Sequence, residues 1–103
     1  MIKNITILGA GESGFGAAML AHQKGHNVFV SDISEIRKDI KSIFVKNSIK
    51  FEEKDHSFDK IKFSDLIIKS PGIPNTSIII SKIKSFDIPI ISEIEFASSY
   101  SNS

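Results

Sequence analysis

The stretch that decides the fold is Gly9-Ala10-Gly11-Glu12-Ser13-Gly14, which matches the pattern G-x-G-x-x-G. It follows the apolar run 5–8 and opens the segment 13–24, which is rich in Ala, Met and Leu and ends at Gly25. A glycine-rich turn between a strand and a helix lets a phosphate approach the backbone and meet free N–H groups. These six residues, called the glycine loop below, predict a phosphate or nucleotide site, although the same glycines also suit a purely structural turn.

Within the glycine loop, the acidic residue Glu12 is at odds with an anionic ligand. A carboxylate beside a pyrophosphate repels it. We therefore expect the side chain of Glu12 to point into solvent, while the hydroxyl and the backbone N–H of Ser13 face the ligand.

Apolar runs and helix-length segments alternate along the chain. Isoleucine supplies most of the runs, and β-branched residues favour strands. The predicted strands cover 5–8, 28–30, 49–51, 66–68 and 88–91; the predicted helices cover 13–24, 34–46 with Ser34 as N-cap, and a third that begins at Asn75 or Thr76 and uses Ile79, Ile83 and Phe86 as its apolar stripe. This order predicts an α/β fold: a single Rossmann-like domain with a doubly wound, mostly parallel five-stranded sheet.

The length of 103 residues allows one compact domain. Pro89 cannot donate to a sheet ladder, so the last strand lies at an edge or begins at this residue. We expect the domain to cover 1–97. Residues 98–103 include four serines and are predicted to form a tail or the start of a linker.

Composition narrows the classes of partner. The 13 basic and 12 acidic residues give a net charge of +1, which is too weak a field to hold nucleic acid. The chain has no cysteine, so disulfides and thiolate metal sites are excluded, and we expect no metal site. Neither a secretory signal nor a run long enough to span a membrane is visible. The expected setting is cytoplasmic, without a membrane partner.

Asp32 ends the second predicted strand, about 20 residues after the glycine loop, where dinucleotide folds place an acid on the ribose hydroxyls. On that interpretation the ligand is NAD. An Asp after a strand is also a common turn residue, and Ser31 or Asp32 could cap the next helix. The side chain alone does not decide between a ribose diol and the N–H of a base, because both are donors.

A second loop, Ser70-Pro71-Gly72-Ile73-Pro74, follows the fourth predicted strand and is called the proline loop below. The first and fourth strands flank the point where a doubly wound sheet reverses direction, and ligands bind in that crevice. The proline loop should therefore lie across from the glycine loop. Its prolines make it stiff, so it suits packing against a base or sugar, with Ser70 free to hydrogen-bond; a rigid connector without contacts is the alternative.

Taken together, these motifs resemble the N-terminal domain of the Mur ligases, and within them the MurD type. The resemblance covers nearly the whole chain. It is carried by the glycine loop, Val30-Ser31-Asp32, the proline loop and Ile88-Pro89-Ile90-Ile91-Ser92-Glu93-Ile94-Glu95. The glycine loop is shared with many nucleotide-binding folds, whereas the last two motifs at this distance are much more particular.

The resemblance implies a Rossmann-like domain that holds the uridine diphosphate (UDP) part of UDP-N-acetylmuramoyl-L-alanine. It implies that the diphosphate meets Gly11, Glu12, Ser13 and Gly14, that the uracil meets Asp32, Ile33 and Ser34, and that Ser70, Pro71 and Gly72 line the uridine site. Some members of the family carry Thr and Arg where this chain has Ile33 and Ser34. The backbone N–H of Ile33 or the hydroxyl of Ser34 can replace those contacts. Arg37 can reach back from the next helix, although a solvated helix face suits it as well.

The resemblance also implies a parent enzyme that uses ATP and magnesium to couple the precursor to D-glutamate through an acyl phosphate. ATP chemistry of this kind needs a cradle such as G-x-x-x-x-G-K-[ST], and no Gly-Lys-Ser/Thr sequence exists in the chain. We therefore expect no catalytic residue and no cofactor in this piece. Its implied partner is the central ATP-binding domain of the same parent chain.

Two other functions remain open from the residues alone. One is an NAD(P)-binding domain of an oxidoreductase or a nucleotide-sensing module, with Asp32 on the ribose. A dehydrogenase would also need a substrate domain that 103 residues do not supply. The other is a domain that keeps the fold and binds nothing tightly.

Overall fold

A five-stranded sheet forms the centre of the computed structural model, which describes residues 1–100. Every pair of neighbouring strands is parallel. The strands are β1 (Asn4–Leu8), β2 (Asn27–Ser31), β3 (Lys50–Glu52), β4 (Leu66–Lys69) and β5 (Ile90–Ser92), in the order β3-β2-β1-β4-β5. The predicted fold class is confirmed. All the loops that follow the strands meet at one edge of the sheet, where β1 and β4 mark the reversal of direction.

Helices cover both faces of the sheet. They are α1 (Glu12–Gln23), α2 (Lys38–Lys46), α3 (Phe58–Ile61), α4 (Ile78–Ser85) and α5 (Glu93–Ser98). One apolar core lies under α1, α2 and α5, and a second lies under α3 and α4. Successive strand residues point to opposite faces, so Ile7 belongs to the first core and Leu8 to the second. No helix in residues 1–100 has the length and apolarity that crossing a membrane requires.

Helix α1 forms as its sequence predicts. It packs on the sheet through Gly14, Ala17, Ala18 and Ala21, and these small side chains let the helix approach the strands closely. Gly25 has a φ of +86° and ends the helix. The Gly25 N–H donates to the carbonyl of His22, and the next N–H donates to the carbonyl of Ala21, which is the Schellman pattern.

Helix α2 begins later than predicted. It starts at Lys38 with Arg37 as N-cap, so the expectation that Ser34 caps it is wrong. The backbone N–H of Ser34 donates to Asp32 Oδ1 at 2.8 Å, and that of Ile36 donates to Glu53 Oε1 at 2.9 Å. These carboxylates satisfy N–H groups ahead of the helix and hold the segment as a loop, while Ile36 still reaches the core.

The remaining differences fall at helix ends. Helix α4 begins after Ser77 rather than after Asn75 or Thr76, and Phe86 is its C-cap with a largely exposed ring. The sequence analysis did not predict α3 or define α5. The start of α5 was visible in the sequence, because Ser92-x-x-Glu95 has the pattern of a capping box, and both of its hydrogen bonds form.

The end of the chain and the last strand complete the domain. Strand β5 lies at an edge and begins just after Pro89, as this residue predicted. Helix α5 runs to Ser98, one residue past the predicted domain limit, and Tyr100 packs its ring on Phe96 at 5.2 Å. The predicted tail therefore overlaps the folded domain at 98–100, and its last three residues lie outside the described part.

Candidate functional site

The glycine loop owes its shape to two of its glycines. Gly9 has a φ of +98°, and a Cβ there would come within 2.8 Å of Ser70 Cβ. A Cβ at Gly14 would overlap the carbonyl oxygen of Gly9, because α1 rests directly on the loop. These two positions need glycine for packing, and Gly14 is buried. The Cα of Gly14 therefore lies in the packed layer beneath the glycine loop and not on its exposed surface.

Gly11 differs from the other two glycines of the pattern. It is exposed, its φ of −73° suits any residue, and a Cβ there would have no neighbour within 4 Å. Nothing within residues 1–100 therefore requires a glycine at this place. A bare backbone that faces open space at a helix N-terminus is what a closely approaching phosphate needs.

The first turn of α1 presents free donors beside Gly11. No side chain caps the helix, and the N–H groups of Glu12, Ser13 and Gly14 precede the first intrahelical donor, Phe15, which bonds the carbonyl of Gly11 at 2.8 Å. The helix dipole adds partial positive charge at this end. The arrangement can bind an anion through the backbone alone.

The side chain of Glu12 points away from these donors, as predicted. It is 92% exposed, and its Oε1 lies 3.8 Å from Nη1 of Arg37. The same guanidinium holds Asp39 through its Nε and Nη2 atoms. Arg37 therefore lies beside the glycine loop as a cation whose charge is already shared by two carboxylates.

Asp32 ties the glycine loop to the end of β2. Its Oδ2 accepts from the N–H of Ala10 at 2.8 Å, and its Oδ1 accepts from the N–H of Ser34. Each carboxylate oxygen keeps a second lone pair for another donor. The structure thus gives Asp32 a supporting role in the loop, in addition to the ligand contact that the sequence predicts.

The proline loop lies across from the glycine loop, as its sequence position predicts. Ser70 backs directly on Gly9, and its N–H donates to the carbonyl of Leu8 at 3.0 Å. Lys69 Nζ donates to the carbonyl of Ile73 at 2.7 Å and to that of Ser70 at 3.3 Å, so one ammonium fixes both ends of the turn. The sequence analysis did not single out this lysine.

A cavity of about 450 Å³, called the side cavity below, opens beside the proline loop. It lies between the loops that follow β2, β3 and β4 and the first turns of α4, and its wall is mostly apolar. Two of the predicted site residues, Ile33 and Gly72, line it. Ser34 and Pro71 are exposed and do not line it. A volume of this size suits a small ligand group such as a base with its sugar.

A hydrogen-bonded relay reaches the side cavity from the end of the sheet. Ser31 Oγ lies 2.8 Å from Glu52 Oε2 and 2.7 Å from Nδ1 of His56, which lines the cavity. Burial raises the pKa of Glu52, but hydrogen bonds from Ser57 and Ser31 outweigh it and the net pKa is below the ordinary value. Burial lowers the pKa of His56 despite the neighbouring carboxylates. The sequence analysis missed this relay because its members come from different strands and loops.

The structure also places a carboxylate behind the glycine loop. Glu93 is only 9% exposed, and its Oε2 has no hydrogen-bond partner among the described residues. It lies 3.4 Å from the place that a Cβ on Gly14 would take. Glu95 is exposed, so the two glutamates point apart.

The strand order and the uncapped N-terminus of α1 just after β1 define the class of protein, which is a Rossmann-like α/β domain. The chain belongs more particularly to the MurD N-terminal domain family, whose family model matches residues 4–79. The recognition made from the glycine loop, the proline loop and the last strand is confirmed.

Relatives of known sequence and structure agree with this family. The chain is 50% identical, over 98% of its length, to the UDP-N-acetylmuramoylalanine–D-glutamate ligase of Bacteroides thetaiotaomicron. It is 48% identical, over 94% of its length, to the ligase of the same name from Cytophaga hutchinsonii. The structure of a pseudomurein peptide ligase type C from Methanothermus fervidus aligns with 96% of the chain at a TM-score of 0.83 and 30% identity.

The chain is much shorter than these relatives. It spans 23% of the Bacteroides protein and 22% of the Cytophaga protein, and it covers 20% of the Methanothermus chain. The alignment thus concerns one domain of each relative.

Proposed function

We propose that this domain holds the UDP part of a UDP-N-acetylmuramoyl-L-alanine precursor for a MurD-type ligase of peptidoglycan synthesis. The observation that carries the proposal is the exposed Gly11 at the free N-terminus of α1, together with a cavity of nucleoside size beside the proline loop. Both lie at the carboxyl edge of the sheet, where doubly wound folds bind their ligands. The ligase names of its relatives support the same precursor.

The diphosphate binds at the glycine loop. The free N–H groups of Glu12 and Ser13 donate to its oxygens, and the missing Cβ of Gly11 lets them approach. Hydrogen bonds from backbone N–H to an ionised acceptor are stronger than neutral ones, so this loop can supply most of the affinity without a basic side chain. Near-neutral net charge is compatible with such a site.

The uridine extends from the glycine loop toward the side cavity. Ile33 and Gly72 line that cavity, and Ser70 lies between it and the glycine loop against Gly9. Asp32 stands at the same edge with a lone pair left on each oxygen, so it can accept a hydrogen bond from the uridine while it holds Ala10. Pro71 and Ser34 are exposed and do not line the cavity, so on this proposal they contact the ligand outside it.

The ligase chemistry takes place elsewhere in the parent protein. The residues present do not fit ATP or magnesium, because the chain lacks the Gly-Lys-Ser/Thr end of a triphosphate loop. On this proposal the central ATP-binding domain of the parent supplies both, and the 103-residue chain binds its ligand without turnover. On the same proposal the parent works in the cytoplasm.

Calorimetric titration of the chain with three ligands tests the proposal. We expect UDP and UDP-N-acetylmuramoyl-L-alanine to bind and NAD to bind at least about tenfold more weakly, a difference of about 1.4 kcal/mol. The Gly11→Ala variant is the matched control, because its Cβ meets no protein atom and should weaken only the ligand complex. Tighter binding of NAD than of UDP, or no binding of either uridine ligand, would overturn the proposal.

A further inference from the structure

His56 presents one ring nitrogen to the side cavity. It lines the cavity, and its Nδ1 is engaged with Ser31 Oγ at 2.7 Å. Its Nε2 makes no hydrogen bond to any residue in 1–100. In a neutral imidazole one ring nitrogen carries a hydrogen and donates, and the other accepts. If Nδ1 carries the hydrogen, Nε2 is therefore a hydrogen-bond acceptor.

The relay behind His56 assigns that proton. Glu52 is a carboxylate that accepts from the N–H of Ser57 at 2.7 Å and from Ser31 Oγ at 2.8 Å. Ser31 Oγ also lies 3.1 Å from the carbonyl oxygen of Asp55, so two of its three neighbours are acceptors with no hydrogen to give, and its single hydrogen goes to one of them, the shorter contact being that to Glu52. The 2.7 Å contact with His56 then requires that Nδ1 carry a hydrogen and donate it to Ser31. Neutral His56 is left with an unprotonated Nε2, which is a hydrogen-bond acceptor.

The cavity around this acceptor suits a flat, partly polar ring. Its wall is mostly apolar, and Ile33 and Ile73 contribute to it. Ser77 lines the same cavity, and its Oγ is buried without a hydrogen-bond partner among the described residues. The cavity thus combines an acceptor from His56 with a hydroxyl that can donate, and the carboxylate of Asp55 and the ammonium of Lys82 also line it.

We propose that Nε2 of His56 accepts a hydrogen bond from the N3–H of the uracil base, and that this contact makes the domain select uridine over cytidine. This inference rests on the proposed function, because it assumes that a uridine ligand occupies the side cavity. Uracil carries a hydrogen on N3 between two carbonyl oxygens, whereas cytosine has a lone pair on N3. Uracil pairs with the acceptor, and its carbonyls suit the Ser77 hydroxyl; cytosine sets one lone pair against another.

Protonation of His56 reverses the pattern, because a protonated Nε2 donates instead of accepting. The carboxylates of Asp32, Glu52 and Asp55 favour the protonated form of the imidazole, but burial outweighs them and the pKa is lowered. From α4, the ammonium of Lys82 lines the same cavity. At neutral pH the ring is therefore neutral. Selection of uridine should weaken as the solution is acidified.

A pair of variants at His56 separates its two ring nitrogens. In His56→Asn the amide N–H can replace Nδ1–H toward Ser31, but nothing replaces Nε2. In His56→Gln the longer side chain can place an amide oxygen near the position of Nε2. Titration of UDP and cytidine diphosphate (CDP) into the wild type and both variants at pH 7.5 measures the preference, and melting curves check that each variant folds.

We expect the wild-type chain to prefer UDP over CDP at least about tenfold, the worth of one well-made hydrogen bond whose loss leaves two acceptors facing each other. His56→Asn should reduce that preference to about twofold, and His56→Gln should restore part of it. Long-range ¹H–¹⁵N spectra of the wild-type imidazole should show the Nδ1–H tautomer. An unchanged UDP/CDP ratio in His56→Asn, or an Nε2–H tautomer, would overturn the inference while the proposed function stands. Failure of the wild type to bind UDP would overturn both.

Discussion

The glycine loop and the side cavity lie at the same edge of the sheet, yet they are built from different parts of the chain. The glycine loop offers backbone N–H groups, and its side chain Glu12 points away. The side cavity is formed by side chains from separate loops and from α4, with Asp55, His56, Ser77 and Lys82 as polar groups. On the proposed function, the backbone donors would recognise the phosphate of any nucleotide, so selectivity for the base would come from the side cavity. The difference teaches that affinity and choice of ligand can be altered separately.

The largest expected effect concerns the packing behind the glycine loop. Gly14→Ala should lower the free energy of unfolding by about 3 kcal/mol or more, because its Cβ would overlap the Gly9 carbonyl oxygen. Gly16→Ala is the matched control in the same helix, since a Cβ there meets nothing within 4 Å and should raise stability by up to about 1 kcal/mol. Urea denaturation of both variants measures the difference. Equal stability of the two would mean that α1 does not rest on the loop.

A smaller effect should follow from cutting the link between the two regions. Asp32→Ala removes the acceptor for the N–H groups of Ala10 and Ser34, and should lower the free energy of unfolding by about 2 kcal/mol. It should also weaken UDP binding by more than about 1 kcal/mol, because the loop loses its support and the uridine loses an acceptor. Denaturation and calorimetry on the same sample check the two parts. An unchanged dissociation constant would contradict the ligand contact.

Gly11→Ala should affect binding and spare the fold. Its φ of −73° suits alanine and its Cβ enters open space, so the melting temperature should stay within error of the wild type. The same Cβ enters the place of the diphosphate, and we expect about a tenfold loss of affinity for UDP. Calorimetry with inorganic pyrophosphate should show a similar loss. If the variant bound both ligands like the wild type, the phosphate would have to lie elsewhere.

The smallest expected effect is on the pH dependence of stability. Burial lowers the pKa of His56 in the folded chain. Below about pH 6.5 the imidazole therefore binds a proton in the unfolded chain but not in the folded chain. The free energy of unfolding should therefore fall as the pH drops from about 7.5 to 5.5. His56→Asn should show a flatter dependence over the same range. A wild-type curve no steeper than that of the variant would contradict the lowered pKa.

The sequence revealed the parts of the site that follow local rules. The turn from strand to helix at the glycine pattern and the end of α1 at Gly25 are consequences of near neighbours, and both were confirmed. The phosphate site at that turn stays a prediction. The start of α2 was missed because Asp32 and the more distant Glu53 satisfy N–H groups that a helix cap would otherwise take. The relay joins Ser31 at the end of β2 to Glu52 and His56, which lie 21 and 25 residues further along the chain, so no local spacing rule could have found it.

The central claim is that the glycine loop holds the diphosphate and the side cavity holds the uridine. Backbone amide NMR spectra of the chain, recorded with pyrophosphate, uridine and UDP in turn, test it most directly. Pyrophosphate should shift the signals of Gly11, Glu12 and Ser13, uridine should shift those of Ile33, His56 and Gly72, and UDP should shift both sets. Shifts from uridine at the glycine loop alone, or from pyrophosphate at the side cavity alone, would contradict the account.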